Sequence, residues 1–146
     1  MIYTGLTKKA LKLCFESHKE QKDKTGLPYV FHPFHLAEAM DDEISTVCAL
    51  LHDVVEDTEL TFADLEAMGF PTRVIEVLKL LTHEKDVPYM DYVRRISGDP
   101  IARKVKIADL LHNSDTSRLD VIDEYAIKRN EKYNEALKIL GYSKEG

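Results

Sequence analysis

From Leu50 to Thr58 the chain reads Leu-Leu-His-Asp-Val-Val-Glu-Asp-Thr, so an imidazole and several carboxylates follow directly on an apolar run. On a helix, His52 and Glu56 are i,i+4 neighbours, as are Asp53 and Asp57, and the two pairs face the same way. Carboxylates this close repel one another and call for a compensating positive charge. A divalent cation is the economical way to supply it. A merely solvated helix end explains Glu56, Asp57 and Glu59 poorly, because the helix macrodipole opposes anions at a C-terminus.

Two other segments offer ligands of matching chemistry. In Tyr29-Val30-Phe31-His32-Pro33 an imidazole sits at a helix start among apolar and aromatic residues that can hold it rigidly. In Val105-Lys106-Ile107-Ala108-Asp109 a carboxylate lies inside an apolar segment, where it needs a partner to keep its charge. Lys106, Asp109, Asn113 and Thr116 follow one helical face. The imidazoles of His32 and His52 with the carboxylates of Asp53 and Asp109 make an N2O2 set suited to Mn2+, Fe2+ or Zn2+, with room for water and a substrate oxygen. Such an ion makes hydroxide available near neutral pH. Glu56 and Asp57, one turn along, are placed to orient that water or move protons.

The remaining candidates divide by context. His35 could pair with His32, but the ligand set is complete without it. His83, in the polar run Thr82-His83-Glu84-Lys85-Asp86, reads as solvent-facing, and His112 points about 100° away from Asn113 on an ideal helix. Cys14 and Cys48 lack a neighbouring base and read as reduced core residues. Arg129 and Tyr133 are i,i+4 and could offer a cation and a ring to a nucleotide. Tyr89, Tyr92, Val93 and Ile96 read as plain core.

The elements that must position these groups are helical. Thr7 caps a first helix with Leu11, Cys14, Phe15 and His18 on one face. Pro33 opens a second, with Leu36, Ala37 and Met40 inside. A third runs from about Glu43 to Val55. Thr61 and Asp64 resemble a capping box, Pro71 and Pro100 start further helices, and a last one runs from about Val121 to Leu140. Only Tyr29-Val30-Phe31 suggests a strand. The class is all-α, with about eight helices in a single domain over residues 1–146.

Composition sets outer bounds. The 146 residues carry 20 Lys+Arg against 26 Asp+Glu, a formal net charge of -6. That balance argues against a general nucleic-acid binder but not against a phosphorylated small molecule, since a few cations or a metal can reverse the field in one cleft. No apolar run approaches the ~20 residues of a membrane span. No secretory signal is evident at the N-terminus, and two isolated cysteines make no disulfide framework, so the cytoplasm is the expected compartment.

Four motifs occur in order: His18-x-x-Gln21; Pro28-Tyr29-x-x-His32-Pro33; Leu50-Leu51-His52-Asp53-x-x-Glu56-Asp57-Thr58; and Val105-Lys106-x-Ala108-Asp109-x-x-x-Asn113. In these the chain resembles the HD-domain metal-dependent phosphohydrolases, specifically the hydrolase domain of RelA/SpoT proteins and the small alarmone hydrolases, over roughly residues 8–140. The resemblance implies a helical fold around a buried Mn2+-type site of His32, His52, Asp53 and Asp109, with Glu56 and Asp57 handling the attacking water. It implies nucleotide contacts from Asn113 and Thr116, and removal of pyrophosphate from the 3′ position of a guanosine tetra- or pentaphosphate by hydroxide generated at the cation. His18 and Gln21 are expected to hydrogen-bond behind the site. Hydrolysis without synthesis is the expectation, because nothing resembling a synthetase follows the last helix.

One position departs from the family pattern. The family carries an Arg-Lys pair before Pro-Tyr, whereas this loop reads Lys22-Asp23-Lys24, with Asp23 at the Arg position. A carboxylate cannot stack as a guanidinium does, and it repels polyphosphate. Lys24 keeps the second charge and Lys22 can replace part of the first. Leu110-Leu111 after Asp109 is also less basic than the family pattern. These changes leave open another nucleotide phosphate or phosphorylated metabolite as substrate, or a non-catalytic nucleotide binder. On the loop reasoning, Asp23→Arg raises activity on the alarmone.

Overall fold

The structure, a computed structural model, describes residues 1–142. Its helices are α1 (Gly5–His18), α2 (Phe31–Glu38), α3 (Glu43–Leu51), α4 (Val54–Asp57), α5 (Phe62–Ala67), α6 (Thr72–Leu81), α7 (Tyr89–Ser97), α8 (Pro100–Ser114) and α9 (Glu124–Ile139), with a 3₁₀ turn at Thr116–Arg118 between the last two. The helical expectation holds, and the extra helix comes from a break in the third. Tyr29-Val30-Phe31 forms no strand; the extended pairing among the described residues is an isolated bridge between Lys22 and Pro28.

Helix α3 is the centre of the molecule, and every residue from Ser45 to Leu51 is buried. It packs against α1, α2, α6 and α8. Its polar residues are satisfied within its own first turn. Asp42 caps it through the Ser45 N–H at 2.8 Å, and Thr46 Oγ1 donates to the Asp42 carbonyl at 2.7 Å. The apolar side chains of α6 and α8 close one contiguous core around Leu50, Leu51, Leu78, Val105 and Leu110.

Helix boundaries follow capping chemistry more than apolar periodicity. Thr4 rather than Thr7 caps α1, the two hydroxyls exchanging hydrogen bonds with each other's backbone N–H groups. Phe15, expected on the inner face, is 49% exposed. Thr61 and Asp64 do form a reciprocal capping box on α5. Asp99 caps α8 by accepting from the Ile101 and Ala102 N–H groups, and Arg73 grips the same carboxylate at 2.6 and 3.0 Å. Helix α9 starts at Glu124 rather than near Val121, because Asp123 accepts the Ala126 N–H. No helix among the described residues is long and apolar enough to cross a membrane.

Candidate active site

The third helix stops at Leu51, four residues earlier than its apolar pattern suggests. The cause is His52. Its ring Nδ1 donates to the Ala49 carbonyl at 2.7 Å, taking an acceptor of the helical ladder. Asp53 then adopts φ -109° and ψ 3°, and a short new helix begins at Val54. This backbone region is sparsely populated and recurs at active sites. The kink also removes the expected i,i+4 columns. Glu56 Oε1 accepts the His83 N–H at 2.7 Å, whereas Asp57 turns toward α1 and accepts from Gln21 Nε2 at 3.2 Å.

In the neutral ring, donation through Nδ1 leaves the His52 Nε2 as a lone pair, buried and without a hydrogen-bond partner. It lies 3.1 Å from Asp53 Oδ2 and 3.6 Å from Asp109 Oδ1. His32 Nε2 lies 2.8 Å from that same Asp109 oxygen. One donor atom from each of His32, His52 and Asp109 falls within 4.8 Å of the others. Lone pairs converge here, and a divalent ion, with ligands at roughly 2.0–2.2 Å, fits this donor set. Asp53 is not one of these three; its Oδ2 lies beside His52 and accepts from the Tyr29 hydroxyl.

Neighbouring groups fix the candidate ligands. His32 Nδ1 meets His112 Nδ1 at 2.6 Å, and the two rings stack with centroids 4.9 Å apart. Burial and the nearby His32 push the His112 pKa down to about 4, so His112 is a neutral acceptor for the His32 Nδ1–H. A ligating imidazole typically donates its second N–H in this way. Asp109 is held by Asn113 Nδ2 at 3.0 Å on Oδ1 and by Lys106 Nζ at 3.0 Å on Oδ2. His18 Nδ1 meets Gln21 Oε1 at 2.9 Å, and Gln21 in turn holds Asp57.

The electrostatics follow from this packing. Burial opposes charge on Asp53, yet His52 holds its carboxyl down near about 2. Burial likewise opposes charge on Asp109, but Lys106, His32 and His52 together outweigh it and hold that carboxyl well below the usual range. Burial resists charging His52, but Asp53 and Asp109 overcome it and favour positive charge at this position. Partial burial raises the pKa values of Glu56 and Asp57 above those of ordinary carboxylates, the direction that favours a proton-handling role.

Beside the site opens a cleft of about 340 Å³, whose walls include His32, Asp53, Lys22, Lys24 and Asn113. Arg129 and Tyr133 are also in its lining, although the Arg129 guanidinium lies over the ring of Tyr125. Thr116 opens the 3₁₀ turn and is not among the lining residues. Asp23 does not stand free in this cleft. Its Oδ1 accepts from Thr25 N–H, Thr25 Oγ1 and Leu27 N–H, and its Oδ2 faces Arg118 Nη1 at 3.4 Å.

Several relatives match this chain. It is 34% identical over 123 residues to a Danio rerio protein named guanosine-3′,5′-bis(diphosphate) 3′-pyrophosphohydrolase MESH1, covering 75% of this chain and 68% of that one. The chain belongs to the RelA/SpoT-like pyrophosphohydrolase family. An Aquifex aeolicus protein named guanosine-3′,5′-bis(diphosphate) 3′-pyrophosphohydrolase is 32% identical over 120 residues, but the match spans only 17% of its length. A solved structure, described as a metazoan ortholog of SpoT that hydrolyzes ppGpp and plays a role in starvation responses, superposes with a TM-score of 0.73. That match has 25% identity and covers 96% of this chain and 85% of the other. No model of a protein family matches the chain.

In this member of the RelA/SpoT-like pyrophosphohydrolase family, sequence reasoning missed several residues at the site. His112 points away from Asn113 but is i,i+3 from Asp109, and that spacing puts both toward His32. His83 is not solvent-facing: its ring Nε2 donates to the Val87 carbonyl at 2.7 Å and it stacks on Tyr92 at 4.6 Å. Tyr89 and Tyr92 are more than core, since the Lys106 ammonium lies 5.9 and 5.3 Å from their ring centroids. His35 stacks on His112 at 4.2 Å and so supports the ring beside His32. Burial pushes the Cys14 thiol up to about 12 and also raises Cys48, which keeps both as inert thiols.

Proposed function

We propose that this chain is a metal-dependent hydrolase that removes pyrophosphate from the 3′ position of guanosine tetra- or pentaphosphate. The observation that carries the reading is the unpartnered His52 Nε2, set among His32, Asp53 and Asp109 at the edge of a cleft with cationic walls. The relatives' named activity on guanosine-3′,5′-bis(diphosphate) agrees with it. His32, His52, Asp53 and Asp109 would hold the ion, and the nitrogen–oxygen donor set suits Mn2+, with Fe2+ or Zn2+ as the other candidates. Once bound, the ion would supply Lewis acidity toward a phosphoryl oxygen and toward water.

The residues of the chain do the rest. Glu56 and Asp57, with pKa values raised by burial, take the proton of the attacking water and pass it toward the departing ribose 3′-oxygen. Lys22, Lys24 and Arg129 offer cations to the nucleotide's phosphates, and Tyr133 offers a ring face. Asn113 keeps Asp109 oriented, and its place in the cleft wall supports a contact to the ribose. A single contiguous core supports one hydrolase domain, and two free, buried thiols fit a reducing compartment such as the cytoplasm.

The test is direct. Purified chain loaded with Mn2+ and given ppGpp should release pyrophosphate and leave GDP. A parallel panel of other phosphorylated nucleotides reads the alternative substrates. Turnover of one of those with none of ppGpp would replace the guanosine assignment, and tight ppGpp binding without product would replace catalysis with sensing.

A further inference from the structure

A second cavity, of about 160 Å³, meets the metal-ligand cluster from another side. Asp53 is in the wall of both cavities, but here the wall also takes His52, Asp109, Glu56 and Lys106. Lys106 is the cation of this space. Its side chain is only 12% exposed, and its ammonium donates to Asp109 Oδ2 at 3.0 Å. An ammonium has three N–H donors, and the faces of Tyr89 and Tyr92 beside it are attractive but accept no strong hydrogen bond. Once Asp109 shares its charge with a divalent ion, the positive charge of Lys106 is in excess in this cavity. Glu56 is on the same wall, with Oε1 taken by the His83 N–H.

We infer that this cavity is the subsite for the pyrophosphoryl group, with Lys106 gripping non-bridging oxygens of the phosphate farther from the ribose. The inference rests on the proposed function and deepens it. The nucleoside and its 5′ phosphates occupy the larger cleft, and the 3′ pyrophosphoryl group passes Asp53 into the smaller cavity. Cations fixed beside a transferring phosphoryl group stabilise the charge that builds there. Charge-assisted hydrogen bonds of this kind are stronger than neutral ones.

The probe is inorganic pyrophosphate, titrated calorimetrically into the Mn2+-loaded chain. Lys106→Met should weaken pyrophosphate binding by roughly tenfold to a hundredfold, the range for losing a hydrogen bond to a charged group. GDP binding should stay as in the wild type, and Lys106→Arg should recover most of the loss. Metal content is measured alongside, because Lys106 touches Asp109. If Lys106→Met sheds its metal, Lys106→Gln, a neutral side chain that still offers Asp109 a donor, takes its place in the titration. Wild-type pyrophosphate affinity in the metal-loaded neutral variant overturns the subsite. If ppGpp is not hydrolysed yet pyrophosphate binding depends on Lys106, the substrate assignment fails and the subsite stands. If ppGpp is hydrolysed and Lys106 is indifferent to pyrophosphate, the subsite alone falls.

Discussion

Asp23 Oδ2 and Arg118 Nη1 face each other at 3.4 Å, joining the loop after α1 to the 3₁₀ turn after α8. Both residues line the larger cleft. The carboxylate that the sequence sets against polyphosphate is therefore paired, and it also shapes its own turn through three hydrogen bonds to Thr25 and Leu27. The guanidinium missing from the loop is present in the cleft by another route.

The expected outcome of Asp23→Arg is thereby reversed. The substitution removes the bonds that shape the turn and puts a second cation beside Arg118. It should cost about 1–2 kcal/mol of stability in denaturant unfolding, as for loss of a capping carboxylate. It should also raise KM for ppGpp. A variant that gained alarmone activity without losing stability would restore the simpler charge argument.

Glu56 should behave as a proton-handling group rather than a ligand. Glu56→Ala should keep its metal and lose activity by ~100-fold or more, in the range for a positioned acid or base. Burial raises the Glu56 pKa, and a base must be ionised to act. Wild-type rate should therefore rise with pH through a value above the ordinary glutamate one, and this limb should vanish in Glu56→Ala. Loss of metal from Glu56→Ala would show that the division between ligand and base is wrong.

His112 should position His32. Replacing it with alanine removes the acceptor for the His32 Nδ1–H. Metal affinity should drop by about 10–100-fold, as for other second partners of ligating histidines, while the fold persists by circular dichroism. Unchanged affinity would mean that α2 alone orients the ring.

Asp99 ties the acid stability of the fold to the placement of α8. Arg73 first, and then the N–H groups of Ala102 and Ile101, hold its carboxyl below the ordinary value. A lowered folded-state pKa gives stability that is complete above the unfolded value of about 3.9 and lost as pH falls through the folded one. Asp99→Ala should therefore lower stability at pH 7 and flatten the acid limb of denaturant midpoints against pH. An identical acid limb in wild type and variant would contradict this assignment.

Much of the site was legible because the ligating types are chemically distinctive. A histidine and an aspartate after an apolar run, and a lone aspartate inside another, are hard to explain as surface or as core. What periodicity missed depends on competition between side chain and backbone. The His52 ring takes the Ala49 carbonyl and breaks a helix that its apolar pattern would continue, which separates Glu56 from Asp57. His83, Tyr89 and Lys106 belong to different elements, and only the packing of α7 and α8 around the end of α6 puts them on one wall. Arg118 and Asp23 meet across most of the chain, a pairing that local spacing does not encode.

The central claim is that His32, His52, Asp53 and Asp109 hold one divalent ion on which hydrolysis depends. Its most direct test is calorimetric titration of Mn2+ into metal-free wild type, His52→Ala and Asp109→Ala, with pyrophosphate release from ppGpp measured on the same samples. The wild type should show a single tight site, lost together with turnover in both variants. Wild-type Mn2+ affinity in His52→Ala and Asp109→Ala, or full turnover in either after chelation, would contradict it.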